Sequence, residues 1–208
     1  MLNCLEKIVE RATAVERLEE EPAREAIDFF RSFADRCHQR KEENYLFPLM
    51  QTRGFSGNCG PLSVMQCEHE LGRLHLDGTD GAIELASKGD INALQWFVQH
   101  GRSYIRLERE HIRKEDHCSF PLANRVLTEL DQQNLLAKFE KVEAEERAAG
   151  IHEKYVALAN RLADRFGVSQ AAREACRPTP EAGVKPGQPV VLAGQLPIGP
   201  YQAATGQS

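Results

Sequence analysis

Two stretches of twelve residues in this chain are near copies of each other: HQRKEENYLFPL at 38–49 and HIRKEDHCSFPL at 111–122. They agree at seven of the twelve positions, and both place a glutamate four residues after a histidine. On an α-helix, residues four apart lie on the same face, with their Cβ atoms about 5–6 Å from each other. The repeat therefore predicts two helices, each with a His–Glu pair on one face.

By composition, the chain divides into a helical part and a tail. Residues 1–173 are rich in the helix formers Ala, Leu, Glu, Arg and Lys. They are predicted to form an all-α bundle of four principal helices with accessory C-terminal helices. Residues 174–208 are rich in Pro and Gly and are predicted to be a disordered tail. Helices are predicted at about 2–15, 22–50, 61–76, 91–126, 129–149 and 152–166, and the third is expected to stop before the sequence DGTDG at 77–81.

The charge and hydropathy of the chain argue against several classes of partner. The formal net charge is −5, so nucleic acid is not an expected partner. No apolar run reaches the roughly 18 residues that a membrane span needs, and no signal-peptide pattern opens the sequence. The six cysteines have spacings that fit no disulfide framework. These features predict a soluble, cytoplasmic protein whose thiols are mostly free.

The inward face of the second helix carries one of the two His–Glu pairs. With a rotation of 100° per residue, His38 and Glu42 lie within about 60° of Ile27, on the apolar face. Glu43 lies about 160° from Ile27 and is predicted to face solvent. Of the two adjacent glutamates, Glu42 is therefore the one that the sequence aims at the core.

Two further helices also aim histidines at the core. His111 and Glu115 lie within about 40° of Phe97 on the fourth helix, and His69 shares an apolar face of the third. A buried carboxylate costs several kcal/mol unless it is neutralised, and a metal cation neutralises it. Imidazole and carboxylate ligands without an inward thiolate pair suit iron or manganese better than structural zinc. The sequence thus predicts a site for two metal ions, with the ligands His38, Glu42, His69, His111 and Glu115.

Three segments, FADRCHQRKEENYLFP, MQCEHELGR and YIRLEREHIRKEDHCSFPLA, resemble in this order the hemerythrin-like (HHE cation-binding) family. The resemblance extends over about residues 1–166. It implies an antiparallel four-helix bundle that holds a non-haem di-iron centre. Carried over by position, it implies the same five ligands that the helix faces give: His38 and Glu42, then His69, then His111 and Glu115.

The resemblance departs from the family pattern in the first helix. The family's first ligand is a histidine about ten residues before a Leu-Glu pair, and Leu5-Glu6 matches that pair. The histidine would then fall upstream of Met1. The start of this sequence offers only Asn3 and Cys4 in its place. Our interpretation of the sequence is a start codon placed too late. A truncated product and a centre with five ligands are the alternatives.

The function that the resemblance implies is reversible binding or sensing of a small ligand such as O2 at the di-iron pair. Tyr104 shares the face of His111 and either hydrogen-bonds the bound ligand or simply packs in the core. Arg73 lies one turn after His69 and either neutralises a ligand carboxylate or pairs at the surface.

Other functions stay open at the level of sequence. One is a redox enzyme acting on peroxide or nitric oxide, or a donor of iron for iron–sulfur repair. Another is ferritin-like iron oxidation, because Glu108-x-x-His111 and Asp35-x-x-His38 have the spacing of such sites. The last is a metal-free helical interaction protein, whose partner the sequence does not identify.

Overall fold

The computed structural model describes residues 1–169, which form six helices and contain no strand. Helix α1 is Leu2–Val15. Helix α2 spans residues 20–52: it begins as the α-helix Glu20–Phe29, widens into the π-helical segments Phe30–Gln39 and Glu42–Leu46, and ends as the α-helix Phe47–Thr52. The all-α prediction is confirmed for these residues, and the predicted tail at 174–208 lies outside them.

The remaining helices follow after short connections. Helix α3 is Pro61–Ser87. Helix α4 spans residues 91–126 and consists of the α-helix Ile91–Lys114, the π-helical turn Glu115–Ser119 and the α-helix Phe120–Val126. Helices α5 and α6 are Glu129–Ala148 and Ile151–Arg165. None of the helices within residues 1–169 combines the length and the apolar character of a membrane span.

Helices α1 to α4 form an antiparallel bundle. The pair α3–α4 is a hairpin whose turn uses Gly89 at φ 95° and Asp90, which caps α4 by accepting a hydrogen bond from the Ala93 N–H at 2.8 Å. Helix α1 runs antiparallel to α4, because Arg109 contacts Glu6 at 2.8 Å while Gly101 lies against Val9. The chain therefore passes up and down the bundle in sequence order.

A polar layer divides the core of the bundle into two apolar clusters. In the larger cluster, the members nearest in sequence to the polar layer are Cys37 on α2, Leu76 on α3 and Ile105 on α4. The smaller one begins at Leu46 on α2 and ends at Met65 on α3. The repeated His–Glu motifs occupy the interval between the two clusters. The two clusters thus seal the predicted metal ligands from both ends of the bundle.

Helix α3 continues through residues 77–81, so the predicted stop at DGTDG was wrong. Asp77 and Asp80 both pair with Arg31 of α2, at 2.6 Å and 2.8 Å, and Thr79 is fully buried in the core. The two glycines cost up to about 1 kcal/mol each in helix propensity, but packing of this kind routinely overrides propensity. The contacts with α2 were not visible in the sequence of α3.

The two glycines of DGTDG differ in what surrounds them. A Cβ on Gly78 would collide with the imidazole of His100, so the missing side chain lets α4 approach. Gly81 is exposed, and a Cβ there would meet no atom within 4 Å.

We expect Gly81→Ala to raise the free energy of unfolding by about 0.5–1 kcal/mol, because alanine has the higher helix propensity and no contact opposes it. Gly78→Ala should stabilise less or destabilise, because His100 must move. Chemical denaturation of the two variants measures the difference. A destabilising Gly81→Ala would contradict a continuous α3.

Candidate metal centre

Four buried side chains from three helices converge in the polar layer. They are Glu42 of α2, His69 of α3, and His111 and Glu115 of α4. One ligand-type atom from each lies within 4.8 Å of those of the other three. All four lie on helix faces that the sequence predicts to be inward, and the fifth predicted residue, His38, lies beside them. The structure therefore brings together the residues that the sequence placed on inward faces.

The two histidines from α3 and α4 point the same ring nitrogen at each other. The Nε2 atoms of His69 and His111 are 3.0 Å apart. Each Nδ1 atom instead faces a carboxylate, at 2.8 Å from Glu43 Oε1 for His69 and 3.0 Å from Glu68 Oε2 for His111. With the Nδ1 hydrogens donated to these carboxylates, both Nε2 lone pairs point into one space. A cation between them satisfies both.

Glu42 and Glu115 lie on the other side of this space, and only 1% of each side chain is exposed. Glu115 Oε1 is 2.9 Å from His111 Nε2, and Glu42 Oε2 is 3.3 Å from His69 Nε2. None of their four oxygens accepts a hydrogen bond of good geometry in the described part of the chain, and the groups that face them are imidazole Nε2 atoms. Two like charges with orphaned oxygens are costly inside a protein unless a cation accompanies them.

His38 faces the same two carboxylates from α2. Its Nε2 atom lies 3.5 Å from Glu115 Oε1 and 3.9 Å from Glu42 Oε1, and 12% of its side chain is exposed. The histidines are therefore divided two and one, with the carboxylates between them. Three imidazoles and two carboxylates grouped in this way are a donor set that can hold a metal ion.

The pKa values of these groups show how strongly they depend on each other. Burial lowers the pKa of His111, but Glu115 more than offsets this and raises it to about 9. Burial, followed by the charge of Glu115, raises the pKa of Glu42. For Glu115, burial acts in the same direction, but His111 and His38 bring its pKa well below the usual range. Without metal, the acids and histidines of the cluster balance their charges by sharing protons. A bound cation would take the place of those protons.

Glu43 holds His69 in position, contrary to the prediction that it faces solvent. Its Oε1 atom accepts from His69 at 2.8 Å and from Arg73 at 3.0 Å, and 28% of its side chain is exposed. The prediction used 100° per residue, whereas residues 42–46 are π-helical and turn by less. Arg73 also donates to Asp35 at 2.9 Å, which keeps that carboxylate paired at the edge of the site.

Glu68 and Lys114 form a second supporting pair, which the sequence analysis missed. Glu68 accepts from His111 Nδ1 and is ion-paired with Lys114. The carboxylate–histidine contacts at His69 and His111 are typical of metal ligands, because a carboxylate fixes the tautomer and orientation of the ring. Two features of the sequence could have indicated this pair: the glutamate immediately before His69 and the lysine present in both repeats.

The other histidines and the predicted Tyr104 lie outside the cluster. His75 and His100 contact each other through their Nδ1 atoms at 3.2 Å, away from the polar layer. Tyr104 is buried one turn before Glu108, and its ring packs edge-on against Phe30 with 5.0 Å between the centroids. The packing role that the sequence allowed for Tyr104 is therefore present in the structure.

The fold and the cluster define a helical-bundle protein with a buried group of His and Glu side chains that could hold a cation. Residues 2–123, more than half of the chain, match the family described as hemerythrin HHE cation binding domain. The chain belongs to this family, and its helices are a hemerythrin-like bundle. The predicted resemblance is thus confirmed, and helices α5 and α6 lie beyond the matched residues.

Similar chains occur among curated mycobacterial proteins. Uncharacterized proteins of Mycobacterium bovis and of two strains of Mycobacterium tuberculosis are each 28% identical over 119 residues. The matched segment covers 57% of this chain and 46% of each relative, so the chain spans about half the length of the relatives it matches. No solved structure gives a significant match.

The donor set fits a transition-metal cofactor. Three imidazoles and two carboxylates are available, and Cys67 and Cys118, the thiols nearest in sequence to His69 and Glu115, are exposed. Imidazole with carboxylate is a combination that iron, manganese and zinc all accept. Family and site together support a metal-binding protein.

Replacing either buried acid should change stability in opposite senses with and without metal. We expect Glu42→Gln to keep or raise the thermal stability of the metal-free chain, because it removes one of two facing charges. The same change should abolish most of the stabilisation that added metal gives. Melting curves with and without Fe(II) under argon, together with metal content, measure both effects. Loss of stability without metal, combined with unchanged metal content, would contradict a cation site.

Glu43→Gln should lower metal affinity about 10–100-fold, because it weakens the contact that orients His69. The exposed Glu70, on α3 next to His69, provides the matched control Glu70→Gln. Chelator competition measures the affinities. Equal affinities in the two variants would refute the orienting role of Glu43.

Proposed function

We propose that the chain holds a non-haem di-iron centre and reversibly binds or senses O2 or a similar small ligand. The observation that supports this most is the division of the donors: His69 and His111 on one side, His38 on the other, and Glu42 and Glu115 between them. Two ions bridged by carboxylates fit this division better than one.

The choice of iron rests on the donors and on the family. Carboxylate and imidazole ligands favour iron or manganese over structural zinc. The hemerythrin-like motifs imply iron, which when bound supplies the redox chemistry that O2 binding requires. Manganese is the main competitor by donor chemistry alone.

The protein's own contribution is to bury the site and hold its ligands. The apolar clusters above and below the polar layer exclude bulk water. Glu43 and Glu68 orient His69 and His111, and Arg73 and Lys114 balance the charges of those two carboxylates. Tyr104 is proposed to line the ligand pocket, with its packing against Phe30 fixing the ring.

The proposal includes a cytoplasmic location, as predicted from the sequence. Cys37, Cys59, Cys67 and Cys118 are free thiols, which suits a reducing compartment.

Asp35 is held by Arg73, which disfavours the ferritin-like pairing of Asp35 with His38.

Iron loading and gas exchange test this function. We expect two iron ions per chain after anaerobic loading with Fe(II), and an optical spectrum that changes when O2 is admitted and returns when O2 is removed. Metal analysis and absorption spectroscopy measure both.

The Glu115→Gln variant is the control for adventitious iron, because it removes a central carboxylate. Steady consumption of hydrogen peroxide would replace the proposal with a redox enzyme. Wild-type protein that takes up no transition metal would leave a helical interaction protein.

A further inference from the structure

Glu108 is a buried carboxylate that the five-ligand centre does not use. It lies on α4, one turn before His111, and only 8% of the residue is exposed. No hydrogen bond or ion pair joins it to another residue between 1 and 169, as judged from its described contacts. An unpartnered buried carboxylate is costly, so it requires a physical explanation.

Glu108 lies about one helical turn from the two paired histidines. Gly72, one turn after His69 on α3, faces Glu108 across the helix seam, and a Cβ at Gly72 would lie 3.0 Å from Glu108 Oε1. The carboxylate therefore rests against the α3 backbone, one turn from where His69 and His111 meet. The absence of a side chain at residue 72 provides the space for it.

The charges around Glu108 belong to the metal centre. Burial raises the pKa of Glu108, whereas the charges of His111, His69 and His38 act in the opposite sense. Glu115 is the acid that adds to the effect of burial. The carboxylate is thus within electrostatic reach of the histidines on both sides of the centre.

Charge balance gives the reason for a third acid. Two divalent cations bring four positive charges, and Glu42 and Glu115 offset two of them. Lys114 neutralises Glu68, and Arg73 offsets only one of the two carboxylates that it contacts, Asp35 and Glu43. The buried centre therefore keeps an excess positive charge, and Glu108 is the remaining carboxylate in the polar layer without a cationic partner among residues 1–169.

We propose that Glu108 is a further metal ligand, whose carboxylate binds the ion held by His69 and His111. This inference rests on the proposed two-ion centre. It adds a residue of α4 that the HxxxE motif does not contain, and no side chain of α1 belongs to the described cluster. The motif on α4 then becomes Glu108-x-x-His111-x-x-x-Glu115, with all three side chains on one face.

The matched variants are Glu108→Gln and Glu110→Gln. Glu110 is on the same helix but exposed, and it pairs only with Arg113 among its described contacts. Purified chains are freed of metal and titrated anaerobically with Fe(II), and with Co(II) for its visible spectrum. We expect two ions per chain for wild type and Glu110→Gln. Glu108→Gln should bind one ion about 10–100-fold more weakly and alter the Co(II) spectrum.

A third variant separates ligation from charge alone. Glu108→Asp keeps the charge but withdraws the oxygens by one methylene. Direct ligation predicts weakened binding in both Glu108→Asp and Glu108→Gln, whereas a distant charge effect predicts wild-type binding for Glu108→Asp and overturns the inference. Melting of the metal-free chains checks the fold, and Glu108→Gln should melt no lower than wild type, because it removes a buried charge.

The outcomes distinguish this inference from the proposed function. Wild-type affinities and an unchanged Co(II) spectrum in Glu108→Gln would overturn the role of Glu108 and leave the two-ion centre intact. Wild-type protein that binds no Fe(II) or Co(II) would overturn both.

Discussion

The structure depends on the burial of two facing carboxylates, Glu42 and Glu115, in a bundle that is otherwise apolar above and below them. The groups that face these two acids are the imidazoles of His38, His69 and His111, and the charge of Glu115 raises the pKa of Glu42, so protons or cations must relieve the repulsion between the acids. Because metal binding to such a site is also folding free energy, the stability of the bundle and the occupancy of the centre are linked.

The π-helical segments explain how the same helices supply both ligands and supports. In α2 the wide turns include His38 and resume at Glu42, and in α4 they begin at Glu115. A wider turn lets neighbouring residues share one side of the helix, so Glu42 enters the cluster while Glu43 reaches His69. Wide turns of this kind are rare and are frequent at functional sites. The repeated sequence thus has a repeated backbone deviation as its counterpart.

Helix faces at a constant rotation were sufficient to select the four clustered residues and His38 beside them, although His38, Glu42 and Glu115 lie in π-helical segments. They failed for Glu43, where a wide turn moved the neighbouring residue inward. The continuation of α3 through Gly78 and Gly81 also escaped the sequence analysis, because it depends on Arg31 from another helix. For a contact between distant segments, such as Glu68 with Lys114, the sequence shows only that both residues stand next to predicted ligand positions, and not that they meet. Periodicity therefore predicts which way a side chain points, but not which residue of another helix it contacts.

The accessory helices α5 and α6 pack against the outside of the π-helical part of α2. Lys41, next to Glu42, is buried with its Nζ atom 3.0 Å from Glu143 Oε1 of α5 and 5.5 Å from the centre of the Phe139 ring. On the other side, Tyr155 of α6 packs against Phe33. Wide helical turns gain little from their own hydrogen bonds, so outside packing must hold them. Helices α5 and α6, which lie beyond the matched residues, therefore brace the part of α2 that carries His38 and Glu42.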